Sequence, residues 1–239
     1  MESHLLVAGI LIFFGSFIQT VTGFGMAVIA GPILIVIAPQ YLPGPIILVG
    51  LFLALINVLK YKESVCLTKQ KFSFLGLIPG TIVGALLLYI VDVAQLSMFI
   101  GVVVLVAVLL SLLPIKIQET PKRLTIAGFL SAFFGTSSGI GGPPMALLMQ
   151  HQKSSLIRAN LAAFFVVSSV LSLLMLIPVG YMSLQHVYLS LPLLPASYLG
   201  YRVAIIAINK IPEKMIRTLS LILCLIAGLC AVYSGFISM

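Results

Sequence analysis

Polar side chains are so sparse along this chain that its pattern is one of long apolar runs interrupted at a few places. Residues 72–91, 93–115, 159–185 and 218–237 contain no charged side chain. Each reaches the ~20 residues that cross ~30 Å of hydrocarbon as a helix. The run from 46 to 59 is shorter and equally uncharged. These runs predict spans over 44–60, 72–91, 94–115, 158–178, 186–206 and 215–237. Two further segments, 4–38 and 123–150, are apolar but broken by glycines, and each is read as a helical hairpin.

The two broken segments carry the same text. Gln19-Thr-Val-Thr-Gly-Phe-Gly25 and Gly135-Thr-Ser-Ser-Gly-Ile-Gly141 place Gly23 and Gly139 116 residues apart. At the same offset Pro79 and Gly84 fall on Pro195 and Gly200, and Phe13 and Phe17 on Phe129 and Phe133. The chain therefore divides into two repeats, 1–118 and 119–239, each a Gly-interrupted hairpin followed by three spans. A pair of Gly-interrupted apolar segments in corresponding halves marks a secondary transporter, with its substrate site where the breaks meet near mid-membrane.

Composition agrees with a lipid solvent. Mean hydropathy is +1.26 and only 8% of residues are charged, against roughly 25% in soluble domains. The opening segment lacks the basic n-region and clear small-residue cleavage site of a secretory signal, so it is kept in the mature protein. Cys66, Cys224 and Cys230 show no metal-ligand spacing and predict neither a disulfide nor a metal site. No cofactor is implied.

The net charge of +8 reflects topology rather than nucleic acid binding. Basic residues cluster at Lys60, Lys62, Lys69 and Lys71; at Lys116, Lys122 and Arg123; at Lys153 and Arg158; and at Arg202, Lys210, Lys214 and Arg217. The positive-inside rule makes these four connections cytoplasmic. The links near residues 39–45, Asp92 and 178–186 hold no Lys or Arg and are assigned outside. The segment 123–150 then leaves and re-enters the same side, as does its counterpart 4–38, either as a re-entrant loop or as two crossings. An odd number of crossings per half turns the second repeat upside down relative to the first. The fold class is thus an all-α polytopic membrane protein with two inverted-topology repeats, both termini outside and the link 114–122 cytoplasmic.

Broken backbone at membrane depth is tolerated only inside protein or along a cavity. The breaks should therefore face each other. Helix N-termini starting there present N–H groups with positive partial charge, and Gly23, Gly25, Gly139, Gly141 and Gly142 let a ligand approach the backbone. Gln19, Thr20, Thr22, Thr136, Ser137 and Ser138 add polar side chains. A small oxyanion suits this set. Small residues also serve close helix packing, but two matched polar breaks at one offset favour a site.

The motifs Gly15-x-x-x-Gln19-Thr-x-Thr-Gly-Phe-Gly25 with Pro32, and Gly135-x-x-x-Gly139-x-Gly-Gly-Pro143-Pro144, together with Pro79/Gly84 and Pro195/Gly200, resemble the TauE/SafE family, the 4-toluene sulfonate uptake permeases. The resemblance covers nearly the full length. It implies a permease of the inner or plasma membrane for sulfite, sulfoacetate or other organosulfonates, with the anion between 19–25 and 135–144. The run Thr136-Ser137-Ser138 is more hydroxyl-rich than is usual for that family and is read as tuning the substrate.

Arg158 and Arg202 are read as interfacial anchors that also steer anions from the cytoplasm. Asn57 and Asn160 are read as interhelical hydrogen-bonding groups. His151 and His186 are placed at span ends, and Tyr198 and Tyr201 along the path or in an interfacial belt. None of Glu2, Glu63, Asp92, Glu119 and Glu213 falls in a predicted span core. Membrane potential is then the simplest driver, and with a negative interior it favours anion export. The expected partners are the anion and the bilayer, with homo-oligomer contacts left open. The alternatives are an anion channel and a structural membrane protein. An enzyme is the least expected class, since no nucleophile–base set, paired intramembrane carboxylates or HExxH-type metal motif appears, and the chain is read as a non-enzyme.

Overall fold

In hydrocarbon a backbone without intrasegment hydrogen bonds is costly, so uncharged runs of this length fold as helices. The computed structural model describes residues 2–112, 118–150, 152–208, 210 and 213–238. His151, Lys116 and the first part of the 114–122 link, 114–117, lie outside the described residues, as do the side chains of Lys69, Lys214 and Arg217. The described residues contain eleven α-helices and no strand. In order these are α1 (Glu2–Thr22), α2 (Met26–Ile37), α3 (Gly44–Tyr61), α4 (Leu67–Leu87), α5 (Val93–Leu112), α6 (Pro121–Ser138), α7 (Gly142–Met149), α8 (Ser154–Val179), α9 (Leu184–Ser190), α10 (Leu193–Ala207) and α11 (Glu213–Ser238).

Six segments are individually long and apolar enough to cross a membrane: His4–Thr22, Gly44–Ser64, Gln70–Leu87, Val93–Leu112, Ser154–Val179 and Leu221–Ser238. Over the span expected at 186–206 lie two helices, α9 and α10, apolar and long enough together to cross a membrane and bent by 41° at Leu191 and Pro192. Proline at 192 donates no N–H to the helical ladder, which is where such bends occur. The acidic residues sit at helix ends. Asp92 caps α5, its Oδ1 accepting from Gln95 N–H at 2.8 Å while Gln95 Oε1 accepts from Asp92 N–H at 3.1 Å, the reciprocal pattern of a capping box.

Both glycine breaks interrupt helix. Between α1 and α2, Gly23 and Gly25 adopt φ of 95° and 124°, and between α6 and α7, Gly139 adopts 80°, values that a side chain strongly disfavours. The arms are unequal. With 21 residues α1 is about 32 Å long, whereas the 12 residues of α2 reach about 18 Å. The short arm α2 is buried through Met26–Pro32, Leu34 and Ile35, so it is enclosed by other helices rather than lipid.

Four helix pairs carry the packing, and all join the two halves of the chain: α4 with α6, α1 with α10, α5 with α11, and α3 with α8. Small residues at helical spacing allow the closest approaches. On α4, a Cβ at Gly76, Gly80 or Gly84 would lie 2.0, 2.3 or 2.6 Å from the carbonyl oxygens of Thr125, Phe129 and Phe133 on α6. On α10, a Cβ at Gly200 would lie 2.3 Å from the Phe13 carbonyl oxygen on α1, beside a 2.9 Å hydrogen bond from Ser16 to Ser197. Gly101 of α5 meets Gly228 and Val232 of α11.

Candidate functional site at the two helix breaks

The breaks are brought together. A Cβ on Gly142 would lie 2.7 Å from Phe24 Cβ, and one on Gly139 would meet Ile46 and Ala27. Each break also packs on the opening turns of a helix from the other half. Gly23 faces Ile157, Arg158 and Leu161 of α8, and Gly139 faces Ile46 of α3. Arg158 Nε donates to the Val21 carbonyl at 2.7 Å, a partner at the C-terminal end of α1, where the helix dipole is negative.

Between the breaks lies a cavity of about 60 Å³. Gln19, Gly25, Met26, Ala27, Gly139, Gly141 and Gly142 line it, as do Ser168, Ser169 and Ser172 of α8. At roughly 10–15 Å³ per water-sized probe, this is room for a handful of heavy atoms. The helix α2 starts at its wall. Gln19 Oε1 accepts the Met26 N–H at 3.1 Å, filling one of the donors that a helix start leaves without an intrahelical acceptor. The next N–H groups, of Ala27 and Val28, belong to the same set. At the second break α7 begins Gly142-Pro143-Pro144. Its two prolines carry no N–H, so this helix start contributes its dipole with fewer donors than α2 does.

The hydroxyls expected to face the anion are turned elsewhere. Thr20 donates to the Ser16 carbonyl at 2.8 Å, Ser137 to Phe133 at 2.7 Å and Ser138 to Phe134 at 2.6 Å. Thr136 shares a 2.7 Å hydrogen bond with Ser172. Thr22 reaches the Ile18 and Phe24 carbonyls at 2.9 and 2.6 Å and borders a second, larger cavity described below. Serine and threonine inside a helix commonly satisfy themselves on the carbonyl four residues back, and the fully buried Thr20, Ser137 and Ser138 follow that rule.

Arg202 stands on the exposed flank of α10, 3.3 Å from the Tyr198 hydroxyl and with its guanidinium 5.9 Å from that ring's centroid. It borders neither cavity. Tyr201, on α10, is buried in the core. Asn160 Oδ1 accepts the Cys66 N–H at 2.8 Å, and Asn57 Nδ2 donates to the Leu53 carbonyl at 2.9 Å.

Sequence reasoning missed Phe24, Ile46, Phe165 and the serines of α8 as lining residues. The serines had a legible signal: Ser168 and Ser172 are one helical turn apart inside an uncharged span, and they share a face.

A larger cavity of about 390 Å³ adjoins the first break. Its walls are mainly apolar, from Ile18, Val21, Ile29, Val108, Ala146 and Leu221, and Ser111, Gln150, Gln152 and Ser154 also border it. Phe24, Gly25 and Val28 border both cavities.

Helical membrane architecture and a buried pair of glycine breaks are the setting in which the comparisons with known proteins stand. No curated protein and no solved structure matches the chain. Residues 8–230 match the family described as Sulfite exporter TauE/SafE, and the chain therefore belongs to this family of membrane transporters and is not an enzyme.

Proposed function

We propose that the protein moves small sulfur-containing anions, of the class of sulfite, sulfoacetate or other organosulfonates, across the cell membrane, and that the anion binds in the 60 Å³ cavity between the breaks. The observation that carries this reading is the meeting of the two Gly-rich motifs around one small cavity at the start of α2. The N–H groups of that helix start and its dipole favour an anion, and Ser168 and Ser169 of α8 border the same cavity, beside Ser172, whose hydroxyl is shared with Thr136. Gln19 orders the first turn of α2 by accepting from Met26.

The helix pairing supports an inverted repeat. At the offset of 116, α4 with α6 exchanges into α10 with α1, while α5 with α11 and α3 with α8 exchange into themselves. A two-fold relation between halves has this property, and an axis in the membrane plane makes the repeats antiparallel. With the basic connections cytoplasmic, both termini lie outside and the larger cavity opens inward, beside Ser111, Gln152 and Ser154.

Direction follows from charge. Moving one negative charge outward with the potential is worth about 2.3 kcal/mol per 100 mV, and the acidic residues sit at helix ends or in links. Export driven by the potential is therefore the simplest mechanism.

Thermal unfolding of the purified protein against sulfite, sulfoacetate, taurine, sulfate, acetate and chloride tests the ligand class, since binding to the native state alone raises stability by RT ln(1 + [L]/Kd). A selective rise with a sulfur oxyanion supports the reading; no rise with any anion refutes it. Counterflow in proteoliposomes then separates a carrier, which exchanges labelled for unlabelled anion, from a channel, which does not. Accumulation driven by an imposed pH gradient would overturn the potential-driven mechanism.

A further inference from the structure

We propose that Phe24 and Ile140, the middle residues of the two Gly-x-Gly breaks, are the gates of this pathway, with Phe24 the inner gate and Ile140 the outer one. The inference rests on the reading that the smaller cavity holds the transported anion, and adds to it the side chains that control access.

Phe24 stands at the partition between two spaces of very different size, 390 and 60 Å³, and belongs to the walls of both. It is half-buried and packs against both hydrophobic clusters of the protein, the large one built on α1, α2, α3 and α5 and the smaller one built on α6, α7 and α8. The space that receives it exists because residue 142 has no side chain: a Cβ there would fall 2.7 Å from Phe24 Cβ and 3.0 Å from its Cδ2. An aromatic ring between two cavities, seated on a glycine, closes a passage by volume alone.

The backbone around Phe24 has freedom that the neighbouring helices lack. Gly23 and Gly25 flank it with φ of 95° and 124°, so both peptide units that aim the ring are carried by residues able to visit either sign of φ. Hinges of gating segments are a few residues that absorb such changes.

Ile140 occupies the same place in the second break, 116 residues on and likewise between two glycines. It is 1% exposed, borders the smaller cavity and does not border the larger one. Its side chain reaches α2, with Cδ1 3.4 Å from where a Cβ on Gly31 would stand. One break thus has a roomy space on its far side and the other has packed helix. This is the asymmetry of a carrier open toward one side, in which equivalent elements of the two repeats hold opposite positions.

The test uses thiol access and needs no knowledge of the substrate. In full-length protein carrying Cys66→Ser, Cys224→Ala and Cys230→Ala, Ser168→Cys places a thiol in the smaller cavity and Leu147→Cys one in the larger. Inside-out membrane vesicles are treated with the impermeant cation 2-(trimethylammonium)ethyl methanethiosulfonate, which is outside the class of anions the protein is proposed to carry. With Phe24 present, Ser168→Cys reacts slowly. With Phe24→Ala its rate rises about tenfold or more, because reaction follows the fraction of open passage, and Phe24→Leu lies between. Leu147→Cys reacts at one rate in all three. In right-side-out vesicles Ile140→Ala, not Phe24→Ala, accelerates Ser168→Cys.

Equal Ser168→Cys rates with Phe24 retained, with Phe24→Leu and with Phe24→Ala overturn the proposal, as does acceleration from the wrong side. The unchanged Leu147→Cys rate reports that the vestibule is still folded. Slowing of the Ser168→Cys reaction by sulfoacetate, which unlike sulfite does not react with the thiosulfonate or with the disulfide it forms, is read separately: gated labelling that it does not slow leaves the gate standing and counts against the anion reading.

Discussion

Arg158 on the first turns of α8 donates its Nε–H to the carbonyl of Val21 at 2.7 Å, across 137 residues of sequence. It ties the second half of the chain to the last turn of α1, two residues before the break. A charged donor on a carbonyl is worth roughly 1.5–3 kcal/mol. Arg158→Ala is expected to lower the unfolding temperature by a corresponding amount, with Arg158→Lys milder because it keeps the charge at the helix end. If Arg158 only steered anions from the interface, Arg158→Ala would leave unfolding unchanged and reduce flux in a salt-dependent way, so the two measurements together decide.

Gln19 separates the structural and electrostatic parts of the site. Gln19→Ala removes the acceptor of the Met26 N–H and is expected to cost about 1 kcal/mol, as for loss of a helix cap. Gln19→Glu keeps an acceptor and sets a negative charge at a helix start, so thermal stability without ligand is retained. The same carboxylate opposes a bound anion: at about 5 Å and an effective dielectric of about 20, like charges repel by roughly 3 kcal/mol. Anion-induced stabilisation should therefore nearly vanish in Gln19→Glu, which a titration of unfolding temperature against sulfite reads directly.

Two glycines predict opposite signs. A Cβ on Gly80 would stand 2.3 Å from the Phe129 carbonyl oxygen, while one on Gly9 would meet nothing within 4 Å. Gly80→Ala must push α4 off α6 and is expected to destabilise by about 1–3 kcal/mol. Gly9→Ala, inside helix α1, is expected to stabilise by up to about 1 kcal/mol by removing backbone freedom from the unfolded chain. Thermal unfolding of both variants in one detergent checks the sign of each.

Thr136 and Ser172 share a 2.7 Å hydrogen bond while both are 1% exposed or less. Their coupling in a double-mutant cycle with Thr136→Val and Ser172→Ala should fall near the ~0.6 to 1.7 kcal/mol seen for polar pairs between membrane helices. Additive effects would mean the pair is incidental, and the hydroxyls would be free to turn toward a ligand.

Much of the helix order was legible because lipid removes alternatives. An uncharged, non-alternating run of 20 residues satisfies its own backbone in hydrocarbon by forming a helix, so helices at α4, α5, α8 and α11 could be expected from 72–91, 94–115, 158–178 and 215–237. The interruptions at Gly23 and Gly139 were equally visible, since paired glycines with polar neighbours break an apolar run at any depth. The bend at Pro192 was not legible, although the proline was in plain view: a single proline either kinks a span or ends it, and only the packing of α9 and α10 distinguishes the outcomes.

The site residues divide along the same line. Glycines that line the cavity, among them Gly25, Gly139, Gly141 and Gly142, followed from the motif, because absence of a side chain has the same meaning in every orientation. Hydroxyls did not. Thr20, Ser137 and Ser138 lie in the motif but bond within their own helices, while Ser168 and Ser172, far from it, line the cavity. A helical residue's azimuth relative to a partner helix depends on crossing angle and register, and these are set by contacts between residues distant in the chain, such as Gly84 with Phe133 and Gly200 with Phe13. Sequence by itself determined helical membrane architecture, the duplicated breaks and the family, because hydrophobic length and glycine placement are local properties. Which side chains meet across the breaks, and that Phe24 stands between two cavities, were decided only by the tertiary packing of helices from opposite halves.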